Sequence, residues 1–358
     1  MKKKYFTEAN SALGFYDLQQ QNLVGIKVIY HLDSPSKQLI SDLLQSLSKS
    51  TVLETCDIEY IYSPFDIQLL AGLVIRDRSL AFVSGKEMIA GSQVIDLSPL
   101  LESSHLKKNK EELTLLLEDL DDCYKAQARH FGLAIDVHDQ WEKIYIDAID
   151  FKKANAYRRL VLEKLFSDVK PLEKEPTIAR RFFGASTGDG LVDFVPDLTD
   201  GLKRYLIKGR PGSGKSTLMK AVVKESWKLG YDTDIYHCSL DPKSLDMVVM
   251  PELHFCIFDA TAPHEYEPTF ETDEVFDTYE AFIHPEVDQR FAHALAEIES
   301  RYKTEIKSGL TALKKAEALH KEIEAIYLAG LISEAKEAVL TTLKQEIKSN
   351  IKEGAVSK

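Results

Sequence analysis

The sequence predicts an α/β fold written twice in tandem: two parallel-sheet domains, each followed by a long helical (hairpin) extension. Three observations carry this. A glycine-rich turn at 209–214 separates an apolar run from an amphipathic stretch. Apolar runs alternate with helical patterns through the second half, as in a parallel α/β sheet. Four segments of the first half also recur, in order, in the second.

The glycine-rich turn comes first. Residues 206–217 read LIKGRPGSGKST and fit G-x-x-x-x-G-K-[ST], the Walker A phosphate loop (P-loop), with Gly209, Gly214, Lys215 and Ser216 at its fixed places. RYLI (204–207) suits a buried strand, and TLMKAVVKESWKLG (217–230) puts Leu218, Val222 and Trp227 on an apolar stripe that stops at Gly230. In such a loop Gly209, Arg210, Pro211, Gly212, Ser213 and Gly214 curl around the phosphates, and all but Pro211 can point a backbone N–H at phosphate oxygens. The helix N-terminus adds about half a positive charge. Lys215 is then the residue for the β- and γ-phosphates, Ser216 for Mg²⁺ and Thr217 for the α-phosphate.

A P-loop needs a metal-binding acid on a neighbouring strand. HFCIFDA (254–260) is an apolar run that delivers Asp259, placed as a Walker B aspartate, and DIYHCS (234–239) reads as a strand between the two motifs. Both metal ligands expected here, Ser216 and Asp259, therefore belong to the second half, at the carboxyl ends of its strands.

Composition narrows the class. The chain has 358 residues, 44% of them hydrophobic, enough for two cores, and a net charge of −12 without a Lys/Arg block, which argues against a dedicated nucleic-acid binder. Cys56, Cys123, Cys238 and Cys256 are isolated and read as reduced thiols. MKKKYFTEANSALGF lacks an apolar signal core and no 18-residue apolar span occurs, so a soluble, cytoplasmic protein without membrane contact is expected.

The repeat accounts for the residues ahead of the loop. ANSALGFYDL (9–18) falls on ASTGDGLVDF (185–194), KVIYHLDSPSKQLI (27–40) on YLIKGRPGSGKSTL (205–218), and 59–85 on 234–260 without a gap. HDQWEKIY (138–145) falls on HKEIEAIY (320–327), sharing His, Glu, Ile and Tyr. This divides the chain into 1–170, with a helical arm at 102–166, and 176–358, with an arm at 286–352, joined near DVKPLEKEPTIARR (168–181). The arm sequences at 104–146 and 287–328 are long amphipathic helices that can cap the cores, pack on each other or meet a protein partner. In the first half HLDSPSKQ (31–38) lies on GRPGSGKS (209–216): the glycines are gone, Asp33 puts negative charge where phosphate would sit, Gln38 replaces Ser216, and Ser84 falls on Asp259. The first half is expected to be a pseudo-NTPase domain.

FVPDLTDGLKRYLIKGRPGSGKSTLMK, YHCSLDPKSLDMVVMPEL and FDATAPHEYEP resemble a family of bacterial two-repeat (tandem) P-loop ATPases whose biological role is largely unassigned. The resemblance covers essentially the whole chain and is most specific over 194–268. It implies a cytoplasmic, ATP-binding protein of two tandem P-loop domains. Family members also carry a glycine-rich loop in the first repeat, and this sequence departs from them there.

Many ATPases place a glutamate directly after the Walker B aspartate to orient water, but here Ala260 follows. Glu252, His264 and Glu265 near that strand, and Asp241 in HCSLDP, are the candidate catalytic replacements beside Lys215 and Asp259. His237 reads as structural or substrate-contacting, Arg210 can touch phosphate, and Arg180 and Arg181 lie just ahead of the domain. No N-K-x-D guanine motif occurs, which favours ATP over GTP. The leading expectation is a Mg²⁺-dependent ATPase that couples hydrolysis to movement of domains or arms. A small-molecule kinase, with HCSLDP and TAPHEYEP around an acceptor, and a non-catalytic nucleotide sensor are the alternatives.

Overall fold

The structure, a computed structural model, describes residues 3–51 and 53–356. The first half runs β1 (Lys4–Phe6), β2 (Glu8–Ser11), β3 (Gly14–Asp17), α1 (Gln19–Asn22), β4 (Val28–Asp33), α2 (Lys37–Ser48), β5 (Glu59–Tyr62), β6 (Leu70–Ile75), β7 (Leu80–Val83), β8 (Gln93–Asp96), α3 (Ser103–Lys108), α4 (Lys110–Ile146) and α5 (Phe151–Phe166). The second runs β9 (Ile178–Phe182), β10 (Gly184–Thr187), β11 (Gly190–Asp193), α6 (Val195–Thr199), β12 (Lys203–Lys208), α7 (Lys215–Lys228), β13 (Thr233–His237), β14 (Leu245–Met250), β15 (Phe255–Asp259), β16 (Glu274–Asp277), α8 (Thr278–Phe282), α9 (Val287–Arg290), α10 (Ala292–Ala329) and α11 (Ser333–Val356).

Twelve strands form one sheet in the order β16-β12-β15-β14-β13-β9-β1-β5-β6-β7-β4-β8. The order reads the same from either end once each strand is exchanged for its counterpart in the other half. The halves join where β1 and β9 meet antiparallel, Phe6 opposite Phe182. The sheet is mixed, which corrects the expectation of parallel sheets: β14 runs antiparallel to both β13 and β15, and β6 does the same between β5 and β7. The physical reason is the connection. Only Pro251–His254 separates β14 from β15, too short for a parallel crossover, so the chain must turn back as a hairpin. His254 and Ser79 take the left-handed conformation at matching places, with φ of 53° and 48°.

Register exposes a second correction. Lys203 pairs with Phe255 as Val28 pairs with Leu80, so these strands repeat at a spacing of 203 − 28 = 255 − 80 = 175. The following helices begin at Lys215 and Lys37, a spacing of 215 − 37 = 178. The first-half loop is therefore three residues shorter: Ser34–Ser36 stands where Gly209–Gly214 stands in the second half. Asp33 corresponds to Lys208 at the strand end and is exposed, so it lies ahead of the loop and not within it.

The arms cross. α5 of the first half buries Val161, Leu165 and Phe166 against Tyr205, Leu218 and Val222 of the second core. α11 of the second half buries Leu340, Leu343 and Ile347 against Leu39, Leu43 and Leu73 of the first. α4 and α10 pack along each other between the two exchanges. Within this contact the Phe131 ring lies over Gly309, where a Cβ would come within 2.3 Å of Phe131 Cε1. Trp227, expected on the apolar stripe of α7, is 58% exposed. α5 covers the face of α7 that carries Leu218, Met219 and Val222 and leaves Trp227 outside it.

A charged cluster spans the junction of the halves. Arg181 is wholly buried, its guanidinium 4.3 Å from the Tyr5 ring centre, 3.0 Å from Asp234 and 3.7 Å from Glu59. Arg76 pairs with Glu59 at 2.9 Å and Lys3 with Asp234 at 3.3 Å. Burial alone would raise the Glu59 pKa, but Arg181, Arg76 and Lys3 together hold it down at about 2.

Candidate functional site

β12 ends at Lys208, α7 starts at Lys215, and Gly209–Gly214 forms the turn between them. Gly212 and Gly214 take φ of 72° and 86°, conformations that suit glycine and let successive N–H groups face the same way. Gly209 is required by space: a Cβ there would lie 2.2 Å from Thr278 Oγ1 and 2.4 Å from Ser213 Oγ. Ser213, fully buried, pairs its hydroxyl with Thr278 at 2.7 Å, and the Thr278 hydroxyl donates to the Lys208 carbonyl at 3.0 Å. The loop is thus pinned from behind by α8.

Lys215 Nζ donates to the Arg210 carbonyl at 3.1 Å and stands 3.5 Å from Asp259 Oδ2. The other Asp259 oxygen accepts from the Thr261 backbone N–H at 3.0 Å and its hydroxyl at 2.5 Å. Ser216 Oγ accepts from the Leu245 N–H at 3.1 Å, which leaves it a lone pair and its proton. Thr217 is exposed at the helix start, and Pro211 is half-buried in the loop.

Arg210 is paired outside the loop. Its guanidinium turns out of the loop to Asp288 at 2.8 Å and lies 5.3 Å from the Tyr279 ring centre. Glu252 is a plain correction: it sits in the β14–β15 turn, at the opposite end of β15 from Asp259, where it takes Lys174 at 2.8 Å and the Asp232 N–H at 2.9 Å. The antiparallel course of β14 carries it there and removes it from the catalytic candidates.

His264 stays near the loop edge but is held in place. It is 8% exposed, its Nδ1 lies 2.9 Å from Asp193, and Phe183 packs edge-on at 4.6 Å. Tyr266 donates to the same Asp193 at 2.5 Å. Asp241 caps the β13–β14 turn through the Ser244 hydroxyl at 2.8 Å, and Glu265 is exposed. His237 is bracketed by the Pro242 carbonyl at 2.7 Å and Arg180 at 3.1 Å, and burial lowers its pKa to about 4.

Sequence reasoning passed over Asp246. The β14 register places it beside Asp259, in hydrogen-bonding contact with Cys238. Burial pushes its carboxyl up to about 6; His264 acts against this and Asp259 adds to it. A charged residue inside the run LDMVVM was the available signal.

Also missed was the far side of the site, supplied by the first half. Glu142 of α4 accepts from the Gly212 N–H at 3.2 Å, and His138 lies 3.9 Å from the same carboxylate. Burial lowers the His138 pKa, against the pull of Glu142 and aided by Lys215. Tyr145 donates to Asp288 at 2.8 Å, the residue that also holds Arg210. His138, Asp139 and Glu142 bring their ligand-type atoms within 4.8 Å of one another.

The first-half loop is built differently. Lys37 lies against Phe65, its Nζ 3.1 Å from the ring centre, and Ser84, in place of Asp259, bonds the Ala71 carbonyl. Glu8, 5% exposed, faces Lys37; burial raises its carboxyl pKa, Asp17 adds to that, and burial lowers Lys37. A 270 Å³ cavity bounded by Lys37, Phe65, His320 and Glu324 remains. Burial drives His320 down to about 3, and its Nε2 meets the Tyr124 hydroxyl at 2.7 Å.

All four cysteines are free, and among the described residues no helix is long and apolar enough to cross a membrane. Comparison with protein-family models, with curated proteins and with solved structures finds no match to this chain.

Proposed function

We propose that the chain is a cytoplasmic ATP-binding P-loop protein, a Mg²⁺-dependent ATPase whose one competent site is the second-half loop. The observation that carries this is the geometry at Gly209–Gly214, with Lys215 at the first helical position and 3.5 Å from Asp259. The donor set suits a nucleotide. The Gly212 N–H already holds a carboxylate oxygen, the chemical stand-in for a phosphate oxygen, and Lys215 reaches across the loop mouth. Ser216 and Asp259 would hold Mg²⁺, which would neutralise phosphate charge when bound. The protein's own part is to seat the phosphates on loop N–H groups, to place Lys215 against their charge and to exclude water through Ser213, Thr278 and α4.

Turnover is expected to be slow. Ala260 follows Asp259, fully buried with its N–H on the Ile207 carbonyl, so no carboxylate sits directly behind the metal acid. This same feature favours a nucleotide sensor as the second reading.

The test is direct. Nucleotide that co-purifies is identified, then binding and phosphate release are measured for the wild type and Lys215→Ala. Loss of the lysine charge should weaken binding about a hundredfold or more. Equal affinity in a folded Lys215→Ala protein would overturn the site. Tight binding without phosphate release would leave the sensor reading.

A further inference from the structure

The H-x-x-x-E-x-I-Y motif occurs once in each arm, as His138, Glu142, Ile144 and Tyr145 and as His320, Glu324, Ile326 and Tyr327. The reaction proposed above gives it no role. The crossing of the arms does: each copy docks on the loop of the opposite half.

In the first half Glu324 accepts from the Ser36 hydroxyl at 2.5 Å and from the Lys37 N–H at 2.7 Å. These are donors that a phosphate would use at the start of such a helix. In the second half Glu142 accepts from the Gly212 N–H, again through a carboxylate oxygen. The helix backbone follows its side chain onto the loop: a Cβ on Gly212 would lie 2.6 Å from the Glu142 carbonyl oxygen and 2.9 Å from its Cα. Both loops therefore carry an anion that the chain supplies itself.

The two are held unequally. Glu324 has two short bonds, whereas Glu142 has one, at 3.2 Å, on a side chain that is 37% exposed. The Gly212 N–H serves one acceptor well, and two anions at one cradle repel. Phosphate and Glu142 compete for it.

We propose that Glu142 is a displaceable occupant of the second-half phosphate loop, an autoinhibitory contact that a nucleoside triphosphate must expel, and that its expulsion moves the end of α4 against α10. The proposal rests on the P-loop reading of that site. Arg210 and Tyr145 both bind Asp288, so loop and helix end are coupled at 2.8 Å on each side. Trp141 packs edge-on against Tyr302 of α10 at 6.1 Å, so a shift of the α4 end changes its surroundings.

The experiment uses the full chain. ATP·Mg²⁺ is titrated calorimetrically into the wild type, Glu142→Gln, Glu142→Ala and Lys215→Ala. Emission of Trp141 is followed in a Trp227→Phe background, since these are the two tryptophans. Both Glu142 variants should bind ATP about tenfold more tightly, the effect of removing one competing charge-assisted bond. ATP should shift Trp141 emission in the wild type, and Glu142→Ala should show that shift without nucleotide. Equal or weaker binding by the Glu142 variants, with Lys215→Ala inactive, overturns the plug and leaves the P-loop reading intact. Undiminished binding by Lys215→Ala, or no binding by any of the proteins, overturns both.

Discussion

The Glu324 carboxylate accepts the Lys37 backbone N–H at 2.7 Å, so the helix start of the first half is occupied from within the chain. One nucleotide per chain is the expected stoichiometry, counted by titrating the intact protein with a fluorescent ATP analogue. Lys37→Ala should leave that count and affinity unchanged. Glu324→Ala should lower stability by about 1–3 kcal/mol, because the Ser36 hydroxyl and Lys37 N–H lose their acceptor. Two equivalent sites in the wild type would show that the shortened loop still cradles phosphate.

Asp259→Asn should act on metal dependence. It removes the charge opposite Lys215 and leaves the Thr261 bonds an oxygen acceptor. The Mg²⁺ concentration needed for half-maximal phosphate release should rise about tenfold or more, since a carboxylate ligand becomes an amide. An unchanged magnesium requirement means that another group holds the ion.

The junction cluster predicts acid sensitivity. Glu59 lies at about 2 against an ordinary value of 4.5, so its charge stabilises the fold above about pH 4.5 and that contribution is lost as pH falls toward 2. The gap corresponds to on the order of 3 kcal/mol. Urea midpoints between pH 7 and pH 3 should fall for the wild type. Glu59→Gln should be less stable at pH 7, with Arg181 deprived of a partner, and its midpoint should fall less between pH 5 and 3. A parallel decline in both proteins would place the acid sensitivity elsewhere.

Gly309→Leu should separate α4 from α10. Even a Cβ at this position comes within 2.3 Å of the Phe131 ring, which the facing helix holds in place. A loss of about 1–3 kcal/mol by overpacking is expected, measured by thermal unfolding. Leu133→Ala, at an exposed position of α4 two residues from Phe131, should change stability by less than about 0.5 kcal/mol. Equal effects would mean that the crossing is loose.

Much of this was legible in residue order. Strand, loop and helix around Gly209–Lys215 follow from motif and periodicity, and the tandem strand order follows from the repeated segments. Strand direction was not legible, because LDMVVM and HFCIFDA are apolar runs of the kind buried strands show in either sense. Recognising the hairpin needed the short Pro251–His254 turn, and without it Glu252 fell at the wrong end of the sheet. The missing three residues of the first loop were masked by the conspicuous match of Lys37 to Lys215. Amphipathic periodicity tells that α4 and α10 bury one face, but it does not tell which core their ends reach, so Glu142 and Glu324 stayed motif letters without a place.

The crossing of α5 and α11 has a consequence for a half on its own. A fragment cut at the 167–177 connection would carry the outer layer of its neighbour and lack its own. Leu39, Leu43 and Leu73 in one piece, or Leu218 and Val222 in the other, would lose part of their cover to water. A second copy of the same piece is what would restore it, arm for arm. A free-standing unit of this kind would thus be an obligate pair with two identical loops. Joining the pair in one chain is what allows the loops to differ, so that one keeps its glycines while the other is three residues shorter and holds its glutamate by two short bonds.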